Sequence, residues 1–300
     1  MKTSLFAGTY VVALSLSLSL VGCSGGSSSD ASVEVQNCEI AGQSYGIING
    51  QTLSIGNPLS ESTVMVIHIS GDDAELCTGT LIDNDKVLTA AHCTSRYSWD
   101  KTLIAFTNNL DCAAKAKTRT IRTVTDKIIN DSYVYDENTP SNAQYDLAIL
   151  KFSGSVPSQY KVRALPSKSY DPTKAEELIY SGYGKTDEDD KDSSGTLRFT
   201  TAAPKRLSHS FYMKRSGQSY SFEKVLVTEQ SQNGVCNGDS GGPLYAKDKN
   251  GGLTLIGVTS MVADNNAAWN QSPRLCHGIS LFVSVQAQLD WIEKTMQQLN

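Results

Sequence analysis

The chain has few of the features that mark nucleic-acid-binding or metal-binding proteins. Its 300 residues include 26 Lys and Arg against 31 Asp and Glu, and the basic residues are dispersed except in short clusters, so no nucleic-acid-binding surface is indicated. No Cys-x-x-Cys motif occurs and the four histidines are scattered, which argues against a zinc site. The acidic run from Asp187 to Asp192 lacks the ligand spacing of an EF-hand, so a solvated loop is favoured over a calcium site. We therefore expect no metal and no cofactor.

Helical periodicity is also scarce. Only the final segment, residues 285–299, repeats apolar residues at intervals of three and four, which predicts one amphipathic helix packed on the outside of the protein. From about residue 47 onward, short runs of β-branched and aromatic residues are separated by turn residues, and about a dozen such runs indicate an all-β barrel or sandwich fold. With 39% hydrophobic residues, the chain can bury one or two cores.

The N-terminal segment is predicted to direct export. Lys2 precedes an apolar stretch that ends at residue 22, as in a signal peptide. Residues 20–23, Leu-Val-Gly-Cys, resemble the bacterial lipobox, in which the cysteine is lipidated and becomes the new N-terminus. We expect a lipoprotein-type signal peptide over 1–22, a lipid on Cys23 that opens a tether and propeptide over 23–46, and anchoring to a membrane of the bacterial cell envelope, in the periplasm or at the cell surface. A plain secretory signal and an uncleaved helical anchor are the alternatives.

Three short motifs carry candidate catalytic side chains. LTAAHC places His92 after one apolar segment, YDLAIL places Asp146 at the start of another, and GDSGGP places Ser240 in a glycine-rich turn. A serine hydroxyl becomes an effective nucleophile when an imidazole takes its proton, and a buried carboxylate holds that imidazole in the required tautomer. Taken singly, the histidine is most simply structural, the aspartate a turn residue and the serine part of a loop. The combination of all three indicates catalysis.

Together the three motifs resemble those of the chymotrypsin- and trypsin-like serine endopeptidases. The separations, 54 residues from 92 to 146 and 94 residues from 146 to 240, are close to the family's layout, and the resemblance extends from Ile47 to the C-terminus. It implies a protease domain over 47–300 that acts on protein or peptide substrates. It also implies two antiparallel six-stranded β-barrels, at about 47–160 and 161–284, with the catalytic residues in the cleft between them.

The resemblance assigns a role to each residue of the site. It makes Ser240 the nucleophile, His92 the general acid and base, and Asp146 the partner that orients His92. The N–H groups of Gly238 and Ser240 would form the oxyanion hole. Ser260 matches the serine that donates a hydrogen bond to the carboxylate of the triad.

The resemblance also implies a zymogen. Residues 47–50, Ile-Ile-Asn-Gly, resemble the family's mature N-terminus, where cleavage by an activating protease frees an ammonium on Ile47 to pair with the carboxylate of Asp239. A buried carboxylate without a partner is costly, so the nucleophile loop is expected to take another shape before cleavage. Because Gly46 precedes the cut, an activating protease of trypsin-type specificity is not expected.

The cysteines fit an exported protein. Six remain once Cys23 is assigned to the lipid, and they can oxidise in pairs outside the cytosol. The family pattern implies one disulfide that fixes the histidine loop and a second that frames the specificity pocket. Elimination pairs the remaining two cysteines, which would keep the lipid attached to the catalytic domain after activation. The pair at the histidine loop is Cys77–Cys93, the pair at the specificity pocket is Cys236–Cys276, and the pair left by elimination is Cys38–Cys112.

Four positions match the specificity pocket of the family: Gly234, Val235, Val262 and Ser280. Gly234 stands where trypsin-type enzymes carry an aspartate, so cleavage after Arg or Lys is not supported. The β-branched side chain of Val262 would narrow the slot. We predict a neutral, small to medium apolar residue at P1, the substrate position before the cleaved bond, which is nearer to elastase than to trypsin.

Three features near this pocket depart from the family pattern. Met261 replaces the usual tryptophan and puts the shape of the substrate shelf in doubt. Residues 263–275 form an insertion that could reshape the pocket entrance. His277 is more simply a surface residue than a contact to acidic substrate side chains.

Two alternative interpretations remain. Gly238, Ser240 and Gly242 also satisfy the G-x-S-x-G motif of α/β-hydrolases, with Asp264 and His277 in that fold's order, but the Gly-Gly-Pro that follows Ser240 cannot begin the required helix. The second alternative is a protease-like lipoprotein that binds other proteins without activity. Such proteins usually lack a catalytic residue, whereas all three are present here.

Overall fold

The computed structural model describes residues 10–11, 47–95, 100–115, 120–135, 142–190, 192–204, 207–215, 218–230, 233–263 and 275–300. Within these ranges the chain is predominantly β, as predicted, with fifteen strands and three short α-helices. The strands are β1 (Tyr10–Val11), β2 (Gln51–Thr52), β3 (Thr63–Ser70), β4 (Asp73–Asp83), β5 (Lys86–Thr89), β6 (Lys101–Ala105), β7 (Ile121–Ile129), β8 (Ala148–Phe152), β9 (Glu177–Gly182), β10 (Arg198–Ala202), β11 (Ser208–Arg215), β12 (Gln218–Glu229), β13 (Pro243–Lys247), β14 (Leu253–Ala263) and β15 (Ile279–Ser284). The α-helices are α1 (Ala91–Ser95), α2 (Leu110–Lys115) and α3 (Leu289–Gln298), and short 3₁₀ segments lie at Ala143–Tyr145, Pro172–Lys174, Leu275–His277 and Gln286–Gln288.

Strands β3 to β8 form the first barrel, a closed sheet of six antiparallel strands. Their order is β4-β3-β6-β7-β8-β5, and an additional pairing of β4 with β5 closes the sheet. Because successive side chains of a strand point to opposite faces, alternate residues such as Val64 and Val66 enter a common apolar core. Strand β1, which falls within the predicted signal peptide, pairs with the first two residues of β4.

The second barrel is built on an eight-stranded antiparallel sheet with the order β11-β12-β15-β14-β13-β9-β10-β2. Two of these strands are additional to the six predicted. Strand β2 follows closely after Ile47 and crosses to the second barrel, where it pairs with β10. Strand β11 belongs to a long hairpin, because only Val225–Glu229 of β12 pairs with β15 whereas residues 218–223 pair with β11. Phe222 of this hairpin is nevertheless fully buried, in a cluster that includes Ala143.

The two barrels share a buried interface. Met65 and Leu88 of the first barrel and Val258 and Tyr245 of the second belong to one apolar cluster. The phenol oxygen of Tyr245 lies 2.9 Å from the hydroxyl of Ser62, so polar groups inside this interface are also paired. This packing holds the end of β5 against the loop that precedes β13, and the candidate catalytic residues lie at that junction.

The C-terminal helix lies where the sequence predicted it, although its first turn is a 3₁₀ segment, Gln286–Gln288. Leu289 and Ile292 of α3 are buried in the cluster that the two barrels share. Nε2 of Gln288 donates to the carbonyl of Gln144 at 2.7 Å, which connects the start of the helix to the turn before Asp146. Among the described residues, we find no helix with the length and apolar character needed to cross a membrane.

Candidate active site

His92 and Asp146 are brought together by two neighbouring strands. His92 lies in α1, directly after β5, and Asp146 lies between a 3₁₀ turn and β8. Since β5 pairs with β8, the two side chains meet at the same end of the first barrel. Nδ1 of His92 lies 2.7 Å from Oδ2 of Asp146, and the backbone N–H of His92 donates to Oδ1 at 2.8 Å. A carboxylate can only accept here, so Nδ1 carries the proton and Nε2 of the neutral ring is the basic nitrogen.

The carboxylate of Asp146 is buried and held by three donors. Besides the two donors of His92, the hydroxyl of Ser260 donates to Oδ2 at 2.6 Å. The side chain of Asp146 is only 4% exposed, against 20% for His92. Because a buried carboxylate is costly without hydrogen bonds, these three contacts compensate its burial and hold Asp146 in one orientation.

Ser240 lies beside the histidine loop. Its carbonyl accepts the N–H of Thr78 at 2.8 Å and lies 3.8 Å from Sγ of Cys93, the residue after His92. The next residue, Gly241, has a φ of 79°, and a Cβ there would lie 2.1 Å from Oγ1 of Thr89. Glycine is therefore required for the loop to lie against the end of β5, the strand that leads into the segment of His92.

The loop around Ser240 presents two backbone donors. Gly238 has a φ of 98°, its carbonyl accepts the hydroxyl of Thr78 at 2.9 Å, and the N–H of Asp239 donates back to Cys236 at 3.0 Å. Neither the N–H of Gly238 nor that of Ser240 donates to any residue that the structure describes. Two adjacent N–H groups of this kind can stabilise a negatively charged oxygen.

Asp239 points inward, away from the cleft. Its side chain is fully buried, and its two oxygens accept the N–H groups of Gly184 at 2.7 Å and Cys236 at 2.9 Å. Burial raises the pKa of Asp239 to about 7, against the opposing effect of these two N–H groups and of the charge on Arg198. Ile47 is also fully buried, and the next residue, Ile48, donates its N–H to the carbonyl of Gly234 at 2.9 Å.

The predicted pocket contains a side chain that the sequence did not single out. Gln230 is fully buried and covers Gly234, where an added Cβ would lie 2.0 Å from the glutamine oxygen. Its amide accepts the N–H of Val235 at 2.9 Å, donates to the carbonyl of the same residue at 3.1 Å and also accepts the hydroxyl of Ser280. Gly234 is therefore not an open floor. No periodicity or motif marks Gln230 in the sequence.

The structure also defines the surroundings of Val262 and Met261. Val262 packs against Ile48 and the Cys236–Cys276 disulfide, and it lies opposite Ser280 in the sheet. Met261 packs in a neighbouring apolar cluster that includes Ala143, from the turn before Asp146. The acidic run 187–192 is mostly exposed among its described residues, but the carboxylate of Glu188 accepts the N–H of Cys276 at the edge of this region.

Both disulfides implied by the family pattern are present, Cys77–Cys93 and Cys236–Cys276. They account for the cysteines in the two groups of His, Cys and Glu side chains that would otherwise offer metal ligands among the described residues. Cys112 is also disulfide-bonded. Because the other four described cysteines pair with each other, its partner lies outside the described residues.

Several predicted features also lie outside the described residues: Cys23, Cys38, most of the insertion and Asp264. His277 is half-buried in its 3₁₀ segment. The α/β-hydrolase alternative requires a helix directly after Ser240. The structure instead has strand β13 from Pro243 onward, so that alternative is wrong.

Comparison with known proteins agrees with this geometry. A family model described as Trypsin matches residues 47–292. Human chymotrypsin-like elastase family member 1 is 29% identical over 233 residues, which cover 75% of this chain and 83% of that protein. Serine protease SP24D of Anopheles gambiae is 26% identical over 230 residues, which cover 75% of this chain and 74% of that protein.

Solved structures show the same fold. A structure of HL collagenase superposes with a TM-score of 0.60 at 21% identity, covering 84% of this chain and 99% of that chain. A structure of GrC superposes with the same TM-score and identity and is covered completely. The fold is thus chymotrypsin-like, with two β-barrels and a C-terminal helix, and the chain belongs to the trypsin-like serine protease family.

Proposed function

We propose that the chain is a serine endopeptidase that hydrolyses peptide bonds through an acyl-enzyme. The observation that carries this proposal is the buried Asp146 carboxylate, which is hydrogen-bonded to both the ring and the backbone of His92, in a segment whose next residue, Cys93, lies against the carbonyl of Ser240. Such an arrangement holds the ring in the tautomer whose Nε2 can accept a proton from a serine hydroxyl, and the carboxylate can stabilise the imidazolium that forms.

Each step of the proposed reaction uses a group of this site. Oγ of Ser240 attacks the carbonyl carbon of the substrate while Nε2 of His92 takes its proton, and Asp146 stabilises the imidazolium that forms. The N–H groups of Gly238 and Ser240 stabilise the negative charge on the carbonyl oxygen. His92 then protonates the leaving amine, and water cleaves the acyl-enzyme by the same steps in reverse order.

We also propose that cleavage between Gly46 and Ile47 activates the enzyme. Two observations support this. Ile47 is buried next to Ile48, which bonds to Gly234 of the pocket segment. Burial raises the pKa of Asp239 to about 7, which means that its carboxylate form is costly without additional positive charge nearby. A new ammonium on Ile47 would pair with this carboxylate and lower its pKa. The loop that carries Ser240 would then be held in its active shape.

We propose a small, neutral P1 residue for the substrate. Gln230 occupies the space over Gly234, and its amide is hydrogen-bonded on both sides to Val235. We expect Val262, which packs against Ile48 and the Cys236–Cys276 disulfide, to narrow the pocket further. A pocket closed in this way has room for a short apolar side chain, and it offers no carboxylate at position 234 for Arg or Lys.

The proposed location follows from the N-terminal sequence. We propose a bacterial lipoprotein with a lipid on Cys23 and a disulfide between Cys38 and Cys112. Cleavage before Ile47 would then leave the catalytic domain attached to the membrane through that disulfide. Release of the cleaved enzyme from membranes should require a reductant, and release without one would contradict the tether.

The test of the catalytic proposal is active-site labelling. The chain is cut before Ile47, the new N-terminus is confirmed by sequencing, and the protein is treated with a fluorophosphonate probe. We expect label on Ser240 and hydrolysis of peptides, and neither in the Ser240→Ala variant. A folded, correctly cut chain that takes up no label would favour the binding protein without activity.

A further inference from the structure

Arg198 is a buried cation that the catalytic proposal does not use. It begins strand β10 and is only 1% exposed, and it is among the largest fully buried side chains of the described residues. One of its guanidinium nitrogens donates to the carbonyl of Thr196 at 3.0 Å. Buried arginines are rare unless a negative charge compensates them.

The sheet register places Arg198 on the side of the sheet that faces Asp239. In the antiparallel pair of β9 and β10, Arg198 lies directly opposite Gly182, so the two residues project to the same face. A Cβ on Gly182 would lie 2.2 Å from Oδ1 of Asp239. Because Gly182 has no side chain, there is space for the Asp239 carboxylate on the face of the sheet to which Arg198 also projects.

The charges of the two groups act on each other. Burial lowers the pKa of Arg198 to about 10, and the negative charge of Asp239 opposes that effect. Burial raises the pKa of Asp239, and Arg198 is the charged side chain that lowers it, together with the N–H groups of Cys236 and Gly184. Each ion thus makes the burial of the other less costly.

We propose that Arg198 is a positioning residue for the nucleophile loop, acting as a permanent internal counter-charge that keeps the carboxylate of Asp239 turned inward both before and after cleavage at Ile47. This inference rests on the proposed protease activity. It implies that the uncut chain already holds part of the active loop shape. The new ammonium then adds a second positive charge to one that is already in place.

The test compares charge-removing and charge-keeping variants of Arg198. Arg198→Met removes the charge and keeps much of the volume, Arg198→Gln is a second uncharged variant that can still donate, and Arg198→Lys keeps the charge. Lys86→Met is the matched control, because Lys86 is a buried cation of the first barrel that pairs with Asp83 and Asp85. All variants are prepared uncut and cut, with the N-terminus checked by sequencing.

Two measurements separate positioning from a general loss of stability. In the uncut wild-type chain, we expect slow fluorophosphonate labelling of Ser240. The labelling rate should fall about tenfold or more in Arg198→Met and Arg198→Gln, the factor that corresponds to one pKa unit. It should stay at the wild-type value in Arg198→Lys and Lys86→Met. In the cut enzyme, loss of Arg198 should raise the pKa of both Asp239 and the Ile47 ammonium. The alkaline limb of the profile of kcat against pH, where the ammonium loses its proton, should therefore move to higher pH.

The outcomes distinguish this inference from the proposed function. If a folded uncharged variant labels at the wild-type rate in both forms and keeps the wild-type pH profile, Arg198 has no positioning role, although the enzyme proposal stands. If the cut wild-type protein takes up no label, the enzyme proposal itself fails. If neither uncharged variant folds, the Arg198→Lys variant decides. A wild-type labelling rate and a wild-type pH profile in this variant would support the counter-charge. A folded Arg198→Lys variant that has lost both would overturn it.

Discussion

Replacing Gln230 with alanine should enlarge the substrates that the enzyme accepts at P1. The glutamine side chain covers Gly234 and is held by the backbone of Val235 and by the hydroxyl of Ser280. Truncation to Ala removes the amide and the carbon that carries it, which opens the inner end of the proposed pocket. If this side chain limits the depth of the pocket, longer P1 side chains should become better substrates.

Two opposing effects set the size of this change. One methylene group that fills a hydrophobic pocket is worth about 1 to 3 kcal/mol, or about 10- to 200-fold in kcat/KM. Against this, the truncation leaves Val235 and Ser280 without their partner, at about 1 to 3 kcal/mol for each unsatisfied group unless water replaces the amide. We therefore expect the ratio of kcat/KM for Leu over Ala at P1 to rise by about tenfold, with a lower Tm.

The assay uses a series of peptides that differ only at P1, carrying Ala, Val, Leu, Phe or Arg. Wild-type enzyme should prefer Ala and Val, and Gln230→Ala should shift the optimum toward Leu. Gln286→Ala is the matched control, because that amide donates to the carbonyls of Lys168 and Tyr170, outside the pocket, and its P1 preference should stay as in wild type. An unchanged Leu to Ala ratio in a folded, active Gln230→Ala enzyme would refute the reasoning, as would a wild-type preference for Arg.

Three further predictions concern other parts of the site. Ser260→Ala removes the donor 2.6 Å from Oδ2 of Asp146, and since a hydrogen bond to a charged group contributes about 1.5 to 3 kcal/mol, kcat for peptide hydrolysis should fall roughly ten- to a hundredfold with little change in KM. In the uncut chain the pKa of Asp239 is about 7 against an ordinary value of 3.8, so folding takes up a proton between these values and the free energy of unfolding falls as pH rises through them. In Asp239→Asn, Tm measured across this pH range should fall less steeply than in wild type. Curves of Tm against pH that run parallel in the two proteins would contradict this prediction. Gly241→Ala should abolish labelling of the nucleophile, because the added Cβ would collide with the end of β5. Gly251→Ala is the control, since Gly251 also has a positive φ but no atom lies within 4 Å of the added Cβ. It should lower the free energy of unfolding by only about 1 kcal/mol and leave labelling intact.

The fold could be predicted from the sequence wherever local pattern and tertiary environment agree. The β-branched run of residues 62–70 is one of the short runs that predicted strands, and the structure has β3 at Thr63–Ser70. The periodicity of residues 285–299 predicted the terminal helix, which is confirmed apart from its 3₁₀ first turn. Strand β11 was not predicted, because its sequence, Ser-His-Ser-Phe-Tyr-Met-Lys-Arg, is largely polar. It pairs with β12, and Phe211 stacks on the buried Phe222 of that strand.

The candidate catalytic residues could be identified because each lies in a motif with strong local requirements. His92, Asp146 and Ser240 were assigned from short stretches, and their catalytic roles remain a prediction that labelling will test. The geometry adds what the motifs do not contain. It shows that three donors fix the carboxylate and that the loop of Ser240 lies against the end of β5.

Gln230 and Arg198 could not have been found in this way, because a polar residue in a sequence is most simply placed at the surface. Both are buried here for the same reason, namely that each lies against or opposite a glycine. Gln230 fills the space over Gly234, and Arg198 lies across the sheet from Gly182, where the absent side chain admits the carboxylate of Asp239. Burial of such groups is tolerated only when all their hydrogen-bonding and charge requirements are met by partners distant in the sequence. Strand register decides whether those partners meet, so the roles proposed for Gln230 and Arg198 could be derived only from the assembled second barrel.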